Sequence, residues 1–188
     1  MFENYQKLLK TKDGISILMR RIEASDEQML KQFLARIPEQ ERWFLRDDST
    51  DPNAINEWIR NLDYDKVLPL AAVNAELGSI IAIIQLHRPI AECLRHVAHV
   101  RVMVDPDYRR QALGPNLLLN AIKLAMEMGI EKLAAELVAG VQEPAIRACL
   151  KMDFFEQARL KDYVKGHDGT YHDLIIMVKT LQADWDEF

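Results

Sequence analysis

The chain has 188 residues, a formal net charge of −5 and 49% apolar residues, which together suit a single domain over residues 1–188. The negative charge disfavours a nucleic-acid partner, because neutralising phosphates requires clustered Lys and Arg. No apolar run approaches the roughly 20 residues that a membrane-spanning helix needs, so no membrane partner is expected. The cysteines, Cys93 and Cys149, lie far apart without metal-ligand spacing, which predicts reduced thiols in the cytoplasm and no metal site.

The first third of the chain predicts a hairpin followed by helices. Asp13-Gly14 between two β-type runs is typical of a hairpin turn, and apolar residues then recur at helical spacing. The predicted elements are strands over Gln6–Thr11 and Ile15–Arg21, a helix ending before Pro38, a short helix through Arg42 and Leu45, and a helix opening at Asp51-Pro52.

The rest of the chain predicts strands separated by two helices. The predicted elements are strands Val67–Val73, Ser79–Leu86 and His96–Val104, a helix over Gly114–Met128, a strand over Ile130–Val138, a helix from Pro144, and closing strands Phe154–Leu160 and Tyr171–Leu181. This order predicts an α/β fold with a mixed, mostly antiparallel sheet flanked by helices on both faces.

Residues 102–119 have the sequence VMVDPDYRRQALGPNLLL. This stretch predicts the end of a strand, a turn with two arginines, and the start of a helix. Free backbone N–H groups at a helix start bind anions, and guanidinium groups suit phosphate. The sequence therefore predicts a phosphate-bearing ligand at this turn, the alternative being a turn whose arginines are merely solvated. Neither the G-x-x-x-x-G-K-[ST] loop nor the G-x-G-x-x-G fingerprint occurs.

The same stretch resembles the signature of the GNAT acetyltransferase superfamily, [RQ]-x-x-G-x-[GA] after a V-x-V strand. Val102-Met103-Val104 supplies the strand and Arg109-Arg110-Gln111-Ala112-Leu113-Gly114 supplies the loop. Lys12-Asp13-Gly14 is similar to the family's opening hairpin, and Lys151-Met152-Asp153-Phe154 resembles its K-x-G-F element with Asp for Gly. Two residues depart from the signature: Ala112 replaces a glycine, and Pro115 has no N–H to donate.

The resemblance implies acetyl-CoA as the cosubstrate. Its pantetheine is expected to pair with the V-x-V strand, and its pyrophosphate to lie on the loop amides. Gln142 stands at the position of a family asparagine that contacts pantetheine. The alternative interpretation is that Gln142 faces solvent near the start of a helix. The residues so assigned to the cofactor are Val102, Met103, Val104, Arg109, Arg110, Gln111, Ala112, Leu113, Gly114, Asn116 and Gln142.

The resemblance also implies two candidate catalytic residues. A family Glu that acts as general base corresponds to His99, and Arg101 on the same face would favour the neutral imidazole. The alternative is a half-buried structural histidine, and Glu92 and His96 are weaker candidates for the base. Cys149 stands where the family often has a Tyr acid, the alternative being core packing. Tyr163 and Tyr171 are further candidates for the acid.

The predicted function is the transfer of the acetyl group of acetyl-CoA to an amine by direct attack in a ternary complex. The acceptor is a small-molecule amine or a protein lysine or N-terminus, and a second copy of the chain is a further candidate partner. Two other functions stay open: an acyl-CoA-binding sensor without turnover, and a nucleotide-binding interaction protein. Loops are the expected acceptor-selecting segments, namely Arg42–Asn53, His87–Arg95 and Lys161–Thr170.

Overall fold

Eight strands and five helices make up the described parts of a computed structural model, which cover residues 5–11, 13–45 and 52–181. The elements are β1 (Gln6–Lys10), β2 (Ser16–Arg21), α1 (Glu27–Arg36), α2 (Glu39–Arg42), α3 (Pro52–Arg60), β3 (Val67–Asn74), β4 (Ile80–His87), β5 (Val97–Val104), α4 (Leu113–Glu127), β6 (Lys132–Val138), α5 (Glu143–Leu150), β7 (Phe155–Lys165) and β8 (Tyr171–Thr180). Lys12 and Asp51, which the sequence assigns to the hairpin and to a helix start, lie outside the described residues.

All eight strands belong to one sheet with the order β1-β2-β3-β4-β5-β6-β8-β7. Strand β5 is parallel to β6, whereas β1–β2, β2–β3, β6–β8 and β7–β8 are antiparallel pairs. The predicted fold class, a mixed and mostly antiparallel sheet accompanied by helices, is confirmed. None of the described helices is long and apolar enough to cross a membrane.

Two predicted boundaries differ from the structure in ways that affect the site. Helix α4 begins at Leu113 rather than Gly114, so Pro115 lies one position deeper in the first turn than predicted. Strand β7 continues to Lys165, so the predicted loop Lys161–Thr170 is wrong in its first half. The Asp168-Gly169 turn predicted a loop there, but β7 is an edge strand, in which the charged side chains of residues 161–165 reach solvent.

The described chain divides into two compact units. The first contains the residues up to Gln85 together with Val102–Leu117. Its strands β3 and β4 are buried along almost their whole length, as expected for apolar runs covered on both faces. The core of this unit consists of Ile22, Leu30, Phe33, Leu34, Ile37, Ile55, Ile59, Ala71, Val73, Ile80 and Ile83, with Met103 packed against it.

The second unit contains Leu86–Arg101 together with the residues from Leu118 onward. Its central strand β6 lies between β5 and β8 and buries most of its side chains. Helix α5 contacts β6 and buries Ile146 and Cys149. Phe154, which precedes β7, is fully buried.

Candidate functional site

The turn between β5 and α4 is held in place by the buried carboxylate of Asp105. Its Oδ1 accepts from the Asp107 N–H at 3.1 Å, and its backbone N–H donates to the Ile81 carbonyl at 2.9 Å. The Arg36 guanidinium pairs with Oδ2 and also donates to the Ile80 carbonyl at 2.6 Å. These contacts fix the end of β5, from which the signature loop departs.

The start of α4 presents unused backbone donors. Among the residues that the structure describes, no acceptor pairs with the N–H groups of Gln111, Ala112, Leu113 and Gly114. The Asn116 N–H, in contrast, donates to the Ala112 carbonyl at 3.1 Å. The predicted set of amide donors is therefore corrected to four, because the amide of Asn116 already closes the first helical hydrogen bond.

Pro115 does not disturb this arrangement. It is the third residue of α4, within the first turn, where a backbone N–H has no partner inside the helix. The helix therefore loses no hydrogen bond to the proline, although an anion at this terminus loses one donor. The four preceding amides and the positive end of the helix dipole remain for such an anion.

Ala112 has the left-handed backbone conformation that its glycine counterpart in the family signature would adopt freely. Its φ is 59°, and Arg110 two residues earlier has a φ of 62°. A Cβ makes this conformation unfavourable, by about 1–2 kcal/mol. The chain therefore carries backbone strain where the phosphate ligand is predicted.

Gly114 leaves open space at the start of the helix. Its φ is not positive, and a Cβ placed on it would meet Val104 Cγ2 at 3.7 Å, which is ordinary van der Waals contact. The protein itself therefore has room for a methyl group at this position. A ligand lying on the amide of Gly114 would compete with that methyl group for the same space.

The two arginines of the loop have different surroundings. Arg109 makes a bidentate pair with Glu41 of α2, at 2.8 and 2.7 Å, and its Nε donates to the Val104 carbonyl at 3.0 Å. Arg110 is exposed. Of the two guanidinium groups that the sequence assigns to the phosphate, that of Arg109 is thus already bound to a carboxylate in this structure.

Strand β5 has a paired and an unpaired part along its β6 side. In the β5–β6 register, Val97 is opposite Lys132, Ala98 is opposite Leu133 and His99 is opposite Ala134. The register with β5 ends at this point, whereas β6 stays paired with β8 up to Val138. Further along β5, Val102 is exposed and Val104 is half-buried. Strand edges that lack a partner offer N–H and C=O groups to an extended ligand.

His99 contacts a carboxylate that the sequence analysis did not identify. Its Nδ1 lies 3.2 Å from Oε1 of Glu136, whose side chain is only 16% exposed. His99 is opposite Ala134, and Glu136 follows two residues later on the same face of β6. The one available signal was a single charged residue inside the apolar run LAAELV.

The other candidates for acid–base chemistry differ in their exposure. Glu92 is exposed and pairs with Arg95 at 2.8 Å, and His96 is half-buried. Cys149 is buried, and burial raises the pKa of its thiol to about 11. Its surroundings favour the packing alternative. Tyr163 and Tyr171 are exposed on β7 and β8.

The side chain of Gln142 accepts a hydrogen bond from the last residue of β6. Its Oε1 accepts from the Val138 backbone N–H at 2.8 Å, immediately before α5 begins. The amide oxygen is thus engaged, which leaves the NH₂ group of this side chain for a ligand. No group of three or more His, Cys, Asp or Glu side chains within the described ranges could hold a metal ion.

Residues 29–154 match the family model described as Acetyltransferase (GNAT) family, and no curated protein sequence matches the chain. A GNAT-family acetyltransferase from Streptococcus pneumoniae has a TM-score of 0.74 at 22% identity, over 87% of this chain and 99% of that one. A ribosomal-protein-S5-alanine acetyltransferase from Vibrio fischeri has a TM-score of 0.76 at 15% identity, over 97% and 99%. A ribosomal-protein-alanine N-acetyltransferase from Brucella melitensis has a TM-score of 0.71 at 22% identity, over 87% and 99%. These structures share the fold of this chain.

Proposed function

Since the chain belongs to the GNAT acetyltransferase family, with residues 29–154 matching the family model, we propose that it transfers an acetyl group from acetyl-CoA to an amine. The observation that carries the proposal is the row of four unused N–H groups from Gln111 to Gly114 at the start of α4. Such a row, at the positive end of a helix, suits a pyrophosphate.

Three features of the described residues fit acetyl-CoA. The four amides would hold the pyrophosphate, and the open space beside Gly114 leaves room for it. Residues Val102–Val104 of β5 lie beyond its register with β6, and this side of the strand would accept the pantetheine as an added strand. The NH₂ group of Gln142 is proposed for a further contact. When bound, acetyl-CoA supplies a thioester carbon to which the amine nitrogen bonds as the carbon–sulfur bond breaks.

His99 is the proposed general base. An ammonium group with a reference pKa of about 10.4 must lose a proton before its nitrogen can attack. Because the Glu136 carboxylate can only accept, Nδ1 of His99 carries the proton of the neutral ring, so Nε2 is the nitrogen that would take the proton of the amine. Glu136 thus acts as a positioning residue. A backbone N–H of β5 would stabilise negative charge on the carbonyl oxygen.

The departing thiolate requires a proton, for which we propose water. Cys149 was the candidate acid, but burial raises the pKa of its thiol to about 11, and the side chain packs on the core side of α5. The burial of Cys149 supports one alternative function, a sensor that binds an acyl-CoA without turnover. The proposed compartment is the cytoplasm, since Cys93 and Cys149 are both free thiols.

Thiol release tests the proposal and separates it from the sensor. The purified protein is mixed with acetyl-CoA and, in separate reactions, a polyamine, a lysine-containing peptide and a peptide with N-terminal alanine. Amine-dependent release of thiol with a matching acetylated product supports the enzyme. Calorimetric binding of CoA without turnover on any of the amines favours the sensor, and binding of ATP in place of CoA would favour a nucleotide-binding protein.

A further inference from the structure

Two ion pairs join the α1–α2 segment to the turn between β5 and α4. Arg36, the last residue of α1, pairs with Asp105 at the end of β5. Five residues further along the chain, Glu41 of α2 pairs with Arg109 in the signature loop. The stretch between Arg36 and Glu41 is therefore attached at both ends to the stretch between Asp105 and Arg109.

The two attachments differ in how readily they can exchange partners. The Asp105 carboxylate is only 2% exposed, and Arg36 also donates to a backbone carbonyl beside it. Breaking this pair would leave a buried charge without its partner, which is costly. The Arg109–Glu41 pair is 37% and 42% exposed, and exposed pairs contribute little stability. The Arg36–Asp105 pair is therefore expected to persist, whereas the Arg109–Glu41 pair can break at little cost.

Arg109 belongs to the same loop as the four unused amides. Its Nε stays anchored on the Val104 carbonyl, while only its two terminal nitrogens are bound to Glu41. A pyrophosphate placed on the amides carries more negative charge than one carboxylate and presents the oxygen geometry that a guanidinium binds in a bidentate manner. It would therefore compete directly with Glu41 for Arg109.

We propose that Arg109 exchanges Glu41 for the pyrophosphate when the CoA ligand binds, so that helix α2 loses its attachment to the cofactor loop while Arg36 and Asp105 stay paired. This inference rests on the proposed function. Helix α2 leads into the predicted acceptor-selecting segment Arg42–Asn53, of which residues 46–51 lie outside the described residues. Cofactor binding thereby changes the restraint on the chain that precedes the acceptor segment.

The sign of one affinity change tests the exchange. Glu41→Gln removes the charge that competes for Arg109, so CoA should bind about two- to fivefold more tightly by calorimetry, the range that a partly exposed ion pair supports. Glu39→Gln is the matched control, because Glu39 is an exposed carboxylate of the same short helix and has no ion pair with Arg109. Its CoA affinity should equal that of the unchanged chain.

Hydrogen exchange on the unchanged protein provides a second readout that needs no variant. The amides of Arg42 and Trp43, which donate to the Pro38 and Glu39 carbonyls, should exchange faster with CoA bound than without it. Pantetheine, which lacks the pyrophosphate, should not accelerate them. These amides report on α2 alone, so an effect on the fold as a whole would be visible elsewhere.

Weaker or unchanged CoA binding by Glu41→Gln would overturn the exchange, since it would mean that Glu41 supports the loop or has no influence on it. Equal or slower exchange of the α2 amides with CoA bound would overturn it as well. In either case, CoA binding and turnover by the unchanged protein would leave the proposed function standing. Absence of CoA binding by the unchanged protein would refute both.

Discussion

Replacing Ala112 by glycine should stabilise the protein, although the same substitution destabilises most proteins. Ala112 has a φ of 59°, a conformation that costs a residue with a Cβ about 1–2 kcal/mol. Glycine removes that cost but gains roughly 0.4–1 kcal/mol of conformational entropy in the unfolded chain, which offsets part of the benefit. The midpoints of these two ranges give an expected net increase of about 0.8 kcal/mol in the free energy of unfolding.

Thermal and urea unfolding measure this effect. For a chain of this size, the gain corresponds to an increase in Tm of roughly 1–4 °C. Ala35→Gly is the matched control, because Ala35 is exposed within α1, where glycine should lower the free energy of unfolding by about 1 kcal/mol. If Ala112→Gly lowers Tm as Ala35→Gly does, Ala112 does not have the left-handed backbone conformation described above, and the reasoning is refuted.

Four other substitutions address the ligand and the chemistry. Gly114→Ala should not lower Tm, since its Cβ meets only ordinary contact at 3.7 Å, yet it should weaken CoA binding more than tenfold by calorimetry. Normal CoA binding by this variant would remove the loop from the cofactor site. His99→Ala should lower kcat at least 100-fold with little change in CoA affinity. Glu136→Gln should lower kcat less, because the amide still contacts the His99 ring, and an unchanged kcat would exclude Glu136 as the positioning residue. Because burial raises the pKa of its thiol to about 11, Cys149 should resist iodoacetamide at pH 8, while the exposed Cys93 reacts. Cys149→Ala should retain turnover, and loss of turnover by a folded variant would identify this thiol as the acid.

Local sequence patterns predicted much of the fold and the cofactor loop. The hairpin turn at Asp13-Gly14 and the strand–turn–helix signal over residues 102–119 each depend on neighbours within a few positions. Such signals concern hydrophobic period and turn chemistry, which a single sequence displays directly. The structure confirms the elements that these signals predicted, to within a residue or two at most ends.

Contacts between distant segments were not predictable in the same way. Arg109 and Glu41 are 68 residues apart and share no local motif. Nothing in the sequence around either residue indicates the other as its partner. Glu136 reaches His99 through the parallel register of β5 and β6, and periodicity does not specify register. The φ of Ala112 is a similar case, because alanine at that position gives no local sign of a left-handed backbone.

Strand β7 is an edge strand of the sheet and carries exposed Phe155 and Tyr163 among charged side chains along its 11 residues. A long exposed edge strand is a template on which further chains can polymerise. Its ladder with β8 shifts register between Leu160 and Val164, and Asp162 there has a φ of 51°. The resulting bulge interrupts the straight run of exposed backbone groups, and charged neighbours flank it. Fibril-type stacking of chains through β7 is thereby limited to short segments on either side of Asp162.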